Sequence, residues 1–444
     1  MNTTDNNWRN WQTHRRLWAL ALPMMLSNIT VPLLGLVDTA IIGHLSEAYY
    51  LGAVALGSTL FTLIVWLLGF LRMATTGLTA QAWGRADGHG QKRLLLQGLV
   101  MAFAMGLALL ASYPLLLNIV LSFSSASSEV LSYCRDYFGV RVLSLPLALA
   151  NLVMLGWLLG RQAPKVAMWQ LIIANLVNIA LDVLFVIGLD MGVKGAAWAS
   201  VLADLTAFSI AGYFCLHAWR GLPESIIRLS DIFQGTGRLL KLNRDIFIRS
   251  LCLQATFAFM TFKGAGLGDT TVAANAVLLN FLMLISYALD GIAYYAEAET
   301  GAAVGRQDAR GLTQSVALAF GWSALFATGF SLTFWLLGPE LISLMTDIDA
   351  VRLGAQQFLP WLVALPLLAF GSYLFDGVYI GATQGRIMRN SMMLATLGVF
   401  FPLWYLFSHS GNHGLWLAMS AFMACRSLSL SWHFYRYHPG FIRA

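Results

Sequence analysis

Along this chain, apolar runs long enough to cross a bilayer alternate with short polar breaks, and the alternation sets the number of elements. Runs of roughly 20 residues, the length a helix needs to span the hydrocarbon, begin near Leu17, Tyr50, Leu94, Val130, Val166 and Gly195. A second set begins near Ile246, Val272, Gly311, Leu353, Met388 and Gly414. Twelve spans follow, six to each half, and the predicted fold class is an all-α membrane protein. The longest polar stretch, Arg220 to Arg244, contains Gly221, Pro223, Gly235 and Gly237 and reads as a linker. Its Ile226, Ile227, Leu229, Ile232 and Phe233 form an amphipathic middle suited to the inner membrane surface. The expected division is a first six-helix lobe over residues 1–220, a cytoplasmic linker over 221–243 and a second lobe over 244–444.

The breaks themselves repeat. Gly43 with Ala53-Val54-Ala55 returns as Gly264 with Ala274-Asn275-Ala276, and Gly84-Arg85-x-Asp87 returns as Gly305-Arg306-x-Asp308. Gly160-Arg161 returns near Gly381 with Arg386. The differences 264 − 43, 305 − 84 and 381 − 160 all equal 221, about half the chain. A tandem duplication is implied, with both copies running in the same direction as two pseudo-symmetric six-helix bundles, an arrangement common among secondary transporters.

Composition agrees with the pattern. At 58% hydrophobic and 11% charged over 444 residues, with mean hydropathy +0.68, the chain has too few charges to cover a soluble surface. Lys and Arg then give orientation, because they gather in cytoplasmic loops. The N-terminal tail holds Arg9, Arg15 and Arg16; alternate loops hold Arg85, Lys92 and Arg93, then Arg161 and Lys165, then the linker cluster. Arg306 and Arg310, Arg386 and Arg389, and Arg436 and Arg443 continue the series. Both termini are expected on the cytoplasmic side. The net charge of +6 is thus a topology signal, and no nucleic-acid partner is implied. Asp5 and a polar start precede a full-length first span, so no cleaved leader is expected. Cys134, Cys215, Cys252 and Cys425 lie on different segments without metal or redox spacing.

Ionisable groups inside spans cost about 2.5–3.5 kcal/mol each on insertion scales, so they mark function. The first half holds Asp38 in span 1, Asp182 in span 5 and Asp204 in span 6. Counted from Gly43, Gly188 and Gly195, the positions Asp38, Asp182 and Ser200 fall roughly 8–9 Å below the outer helix ends. Asn178 and Asp204 lie one turn deeper on the same faces. Clustered carboxylates in low dielectric resist shedding all their protons together, which is how a proton site is made. The same oxygens, with Asn178 and Ser200, would also suit a bare Na⁺ at Asp38, Asn178 and Asp182. Pro23, Pro32 and Gly35 interrupt span 1 on the approach to Asp38 and predict a conformational hinge.

The second half differs. Asp290 and Asp376 have Gly69 and Leu155 at their repeat positions (290 − 221 and 376 − 221). Tyr287, Asp290 and Tyr294 share a helical spacing, as do Tyr373, Asp376 and Tyr379. An acidic, aromatic wall of this kind suits an organic cation. The alternative is a self-satisfied Tyr–Asp network that holds helices together. Arg72, Arg141 and Arg426 are the countercharges within spans, and Glu297 and Glu299 are expected to meet nearby arginines.

At these residues the chain resembles the multidrug and toxic compound extrusion transporters, within them the DNA-damage-inducible F subfamily of bacteria. The resemblance covers essentially the whole chain and is strongest from Leu22-Pro23 through Asn28-Ile29-Thr30-Val31-Pro32 to Asp38-Thr39-Ala40, then in Thr76 to Ala82, Asn151-Leu152-Val153 and Gly156 to Gly160. It continues with Asn178 and Asp182, Tyr287 to Gly291, Asp376-Gly377 and Gly381-Ala382-Thr383. It implies a twelve-helix antiporter of the bacterial inner membrane, without cofactor and complete as a monomer, exporting amphipathic or cationic compounds against H⁺ or Na⁺. Asp38 would be the coupling residue, with Asn151, Asn178, Asp182 and Ser200 around it. Ser200 stands where a threonine is usual and keeps the hydroxyl. Pro23 would let the first helix bend.

The reading favours H⁺, with a Na⁺-coupled antiporter or a lipid-linked precursor flippase of the same superfamily as alternatives. A membrane-embedded acyl- or glycosyltransferase would need a catalytic pair or metal ligands at the membrane surface. No nucleotide-binding glycine loop is present, and no enzyme activity is expected.

Overall fold

A computed structural model describes residues 10–42, 48–122, 126–223 and 227–443. Among the described residues the chain is helical almost throughout and contains no strand. Twelve long helical segments are labelled here α1 to α12. In the first half they are α1 Trp11–Ile42, α2 Tyr49–Gly84, α3 Gly88–Ser122, α4 Ser128–Gly160, α5 Pro164–Gly188 and α6 Gly192–Arg220. In the second they are α7 Thr236–Gly266, α8 Asp269–Arg306, α9 Ala309–Met345, α10 Asp349–Gly381, α11 over 385–406 and α12 Asn412–Tyr437. Nine of these, α2 to α10, are long and apolar enough to cross a membrane by length and composition. Each of the twelve predicted runs coincides with one helix.

The chain divides into two compact units, one formed by Leu26–Gly237 and the other by Arg238–Ala444 together with the chain up to Met25. In the first, α4 is the central helix, packing on α2, α3 and α6; in the second, α10 packs on α8, α9 and α12. These two are also the most enclosed of the nine apolar helices, with 72% and 56% of their apolar windows buried.

The duplication is visible in backbone detail. Left-handed residues end equivalent helices at Ala86 and Gln307, at Gln162 and Thr383, and at Asp190 and Gly411. Each pair differs by 221 (307 − 86, 383 − 162, 411 − 190). After the first pair, an aspartate caps the next helix: Asp87 Oδ1 accepts from the Gly90 N–H at 2.7 Å, and Asp308 Oδ1 accepts from the Gly311 N–H at 2.8 Å. Such caps satisfy orphan donors that lipid cannot.

The central helices are admitted by glycine. A methyl group on Gly156 or Gly160 would stand 2.5 Å from the Arg72 carbonyl or 2.7 Å from the Thr76 carbonyl. Gly377 and Gly381 approach the carbonyls of Ala293 and Glu297 in the same way. All four contacts map onto each other by 221, and the four-residue spacing is the one that lets membrane helices pack backbone to backbone.

The linker is tied down in places. Gln97 Nε2 donates to the carbonyls of Ile232 (2.7 Å) and Gln234 (2.6 Å), and Lys92 Nζ donates to the Pro223 carbonyl at 3.0 Å. The expected amphipathic middle forms a short helix, Leu229–Phe233, with Phe233 exposed; residues 224–226, Ile226 among them, lie outside the described residues. Gly43 of the predicted repeat also lies outside them.

Candidate functional site

In the unit Leu26–Gly237, α5 and α6 bring Asn178, Asp182 and Ser200 together. Asn178 and Asp182 are four residues apart on α5, one helical turn, and both are 3% exposed. With its amide oriented to satisfy both neighbours, Asn178 donates to Asp182 Oδ2 at 3.0 Å and accepts from the Ser200 N–H at 3.1 Å. Immediately after Asp182 the helix widens to a π-helical stretch, Val183–Gly188, a departure often found at functional positions.

Asp182 and Ser200 line a cavity of about 100 Å³, roomy enough for several waters. Its other walls come from Gly35 of α1, from Val54, Ala55 and Ser58 of α2, from Tyr137 of α4 and from Ala196 of α6. No basic side chain lines it among the described residues. At Gly35 none of the described residues lies within 4 Å of where a methyl group would project. The part of α1 around Thr30 is fastened to α5 by the Asn175 amide, which donates to Thr30 Oγ1 at 2.9 Å. Asp38 lies on α1 one turn beyond Gly35; its side chain lies outside the described part of the structure. The helix itself continues through Pro23, Pro32 and Gly35.

Two expected members of the group have other company. Asn151 Oδ1 accepts from Gln170 Nε2. Asp204 Oδ2 accepts from Arg141 Nη1 at 2.5 Å and from the Ser144 hydroxyl at 2.7 Å, while the Arg141 guanidinium covers the Phe61 ring at 3.7 Å. The Arg141–Asp204 pair ties α6 to α4.

The other unit carries a different cluster. Asp376 on α10 accepts on one oxygen, Oδ2, from Arg426 Nη2 of α12 at 2.8 Å and also from Arg249 Nη2 of α7. All three residues are buried. Arg249 was not among the countercharges expected from sequence, although it stands alone within an apolar run after Ile246. Asp290 on α8 accepts from the Ser286 hydroxyl at 3.3 Å, and Tyr373 lies within electrostatic reach of Asp290, Arg426 and Asp376. Tyr287 neighbours Asp290, and Tyr294 is half-buried on the same helix. Tyr379 points elsewhere, donating to the Leu430 carbonyl at 3.1 Å and meeting His433 Nδ1 at 2.8 Å. Glu299 does meet an arginine, Arg16, at 2.7 Å.

A duplicated, all-helical membrane fold with buried polar groups inside each half is the architecture of a membrane transporter. The MatE family model matches residues 23–184 and again 246–406, and the chain belongs to that family, the multidrug and toxic compound extrusion transporters. It is 43% identical to DNA damage-inducible protein F of Escherichia coli (strain K12) over 420 residues, covering 94% of this chain and 91% of that protein. A probable multidrug resistance protein NorM of Rhizobium meliloti (strain 1021) is 22% identical, covering 98% and 95%. The solved structure of a MATE protein in complex with MaL6 superposes with a TM-score of 0.86 at 20% identity, covering 100% of both chains.

Proposed function

We propose that this protein is a multidrug exporter of the bacterial inner membrane, its termini cytoplasmic, that expels amphipathic or cationic compounds in exchange for H⁺ entering through Asp38 and its neighbours. The observation that carries the reading is the cavity lined by Asp182 and Ser200, with α1 as one wall and no basic side chain among the described residues that line it. Asp182 accepts from the Asn178 amide and shares the cavity wall with Ser200. Its protonation can therefore change with the side of the membrane it faces. Asp38 sits on the wall helix one turn from that cavity. The family membership and the likeness to DNA damage-inducible protein F support the assignment of Asp38 as coupling residue.

The energetics suffice without ATP. One proton moving down 100 mV supplies about 2.3 kcal/mol, and each unit of pH difference adds about 1.4 kcal/mol. Together these sustain a drug gradient of several hundredfold for one proton per charge-neutral substrate, on the order of what efflux needs.

The test is efflux of a fluorescent cation from everted vesicles, with pH and Na⁺ gradients imposed separately, for the wild type and Asp38→Asn. Efflux that follows the pH gradient and vanishes in the variant is the expected result. Efflux that follows Na⁺ makes the site a cation cage, and normal efflux by the variant under either gradient removes Asp38 from coupling.

A further inference from the structure

We infer that Ser427 is a positioning residue: its hydroxyl holds α10 open between Leu368 and Ser372 and so sets the direction of the next turn, which carries Tyr373 and Asp376. The inference goes beyond the exporter reading and rests on it only for the transport measurement below.

In an unbroken α-helix the N–H of Ser372 would bond to the carbonyl four residues earlier, that of Leu368. Here the Ser372 N–H donates to Ser427 Oγ at 2.9 Å, and the Ser427 hydroxyl donates to the Leu368 carbonyl at 2.5 Å. One hydroxyl from α12 therefore bridges the two groups that a regular helix joins directly, accepting from one and donating to the other. A side chain inserted into the backbone ladder is one of the few causes of a sharp bend in a helix. Ser372 is buried, and its own hydroxyl turns back to the Ala369 carbonyl at 2.8 Å. Within a bilayer no water replaces the bridge, so the backbone pair must either keep Ser427 or close on itself.

The sequence of α10 prepares the place. Pro366 lies inside the helix and has no N–H to give to the Leu362 carbonyl, so the ladder is already short of one bond at that turn. Gly371 lets α12 come close, since a methyl group there would stand 3.1 Å from Ser427 Cβ and 3.3 Å from its Oγ. One turn beyond Ser372 comes Asp376, which is held by Arg426, the chain neighbour of Ser427. Helix α12 thus grips α10 at two consecutive turns, once through backbone groups and once through charge. The other unit is built differently. Gly371, Ser372 and Ser427 correspond to Ala150, Asn151 and Thr206 at the offset of 221, and the Thr206 hydroxyl donates to the Leu202 carbonyl of its own helix at 2.8 Å.

The experiment compares the full-length protein with Ser427→Ala, which removes the bridge and lets Ser372 and Leu368 bond to each other. Ser431→Ala is the control, because the Ser431 hydroxyl bonds only back along α12, to the Ser427 carbonyl at 2.5 Å. Spin labels at the exposed positions Leu353 and Tyr435, and in a second pair at Leu353 and Leu325, report the course of α10 in lipid nanodiscs, with the four native cysteines replaced. Leu353 lies about 22 Å from Leu368 along the helix axis, so a change in bend of about 20° displaces it by about 8 Å. Ser427→Ala should shift at least one of the two distances by several ångströms, and Ser431→Ala neither. In vesicles loaded with a fluorescent cation, Ser427→Ala should raise KM by about threefold or more while the maximal rate stays within about twofold, the mark of a displaced binding wall. Unchanged distances in both pairs, the same shifts in Ser431→Ala, or a fall in maximal rate with KM unchanged overturns the proposal. Absence of cation efflux in the wild type sinks the exporter reading, and the distances then decide the bridge by themselves.

Discussion

The unit Leu26–Gly237 keeps its buried Asp182 beside an amide and a hydroxyl, whereas the other unit keeps its buried Asp376 between two guanidiniums. Asn178 and Ser200 are neutral neighbours, whereas Arg249 and Arg426 carry charge. The repeat positions show that neither cluster is inherited by the other copy. Asn178, Asp182 and Ser200 correspond to Val399, Leu403 and Ala421, while Asp290, Asp376 and Arg426 correspond to Gly69, Leu155 and Leu205, all at the offset of 221. The duplicated chain conserved its turns and its glycine crossings and distributed its chemistry unequally.

Removing one member of the arginine cluster should produce the largest loss of stability. Asp376→Leu leaves two buried guanidiniums without a carboxylate and should cost about 3–5 kcal/mol, read as a fall in the thermal unfolding midpoint in detergent. Combining it with Arg249→Leu and Arg426→Leu should recover most of the loss, since an apolar replacement of a whole buried ionic group is often neutral. Failure of the triple variant to recover would mean that the cluster's geometry matters beyond its charge.

The shared scaffold should respond equally in both copies. Gly156→Val and Gly377→Val each force a side chain onto a backbone carbonyl and should each cost about 1–3 kcal/mol. A large difference between the two would show that the crossings are not mechanically equivalent. Gln97→Ala removes two hydrogen bonds to the linker and should cost about 1–3 kcal/mol at about 0.5–1.5 each, seen as faster proteolysis between Pro223 and Thr236. Asp182→Asn should barely move stability, within about 1 kcal/mol, since the amide keeps the shape and its oxygen can still accept from Asn178. It should nonetheless abolish the pH dependence of efflux, and an unchanged pH dependence would break the contrast between the two units.

What was legible in the sequence followed from local rules. Span starts follow from apolar run length, and the repeated turns follow from glycine and aspartate at fixed spacing. The proximity of Asn178, Asp182 and Ser200 also emerged, because helical periodicity and equal depth are one-dimensional properties. Partner choice was not legible. Asp376 draws its partners from 127 residues upstream and 50 downstream, and Asp204 is claimed by Arg141, 63 residues away. Asn151 is held by Gln170 on the next helix. Helix phase placed Tyr379 beside Asp376, but its hydroxyl found α12 instead. Spacing fixes the direction in which a side chain leaves its helix, and the packing of neighbouring helices decides what it meets.

The order of the three charged residues along the chain has a consequence for biosynthesis. Arg249 leaves the ribosome first, on α7, Asp376 follows on α10, and Arg426 arrives last, on α12. Each alone adds about 2.5–3.5 kcal/mol to the insertion of its helix, and the group closes only when the final segment docks. A chain truncated before α12 would hold Arg249 and Asp376 as a one-to-one pair, without the second guanidinium. The last helix therefore completes the group, and the three-member cluster exists only in a chain that has been made through α12.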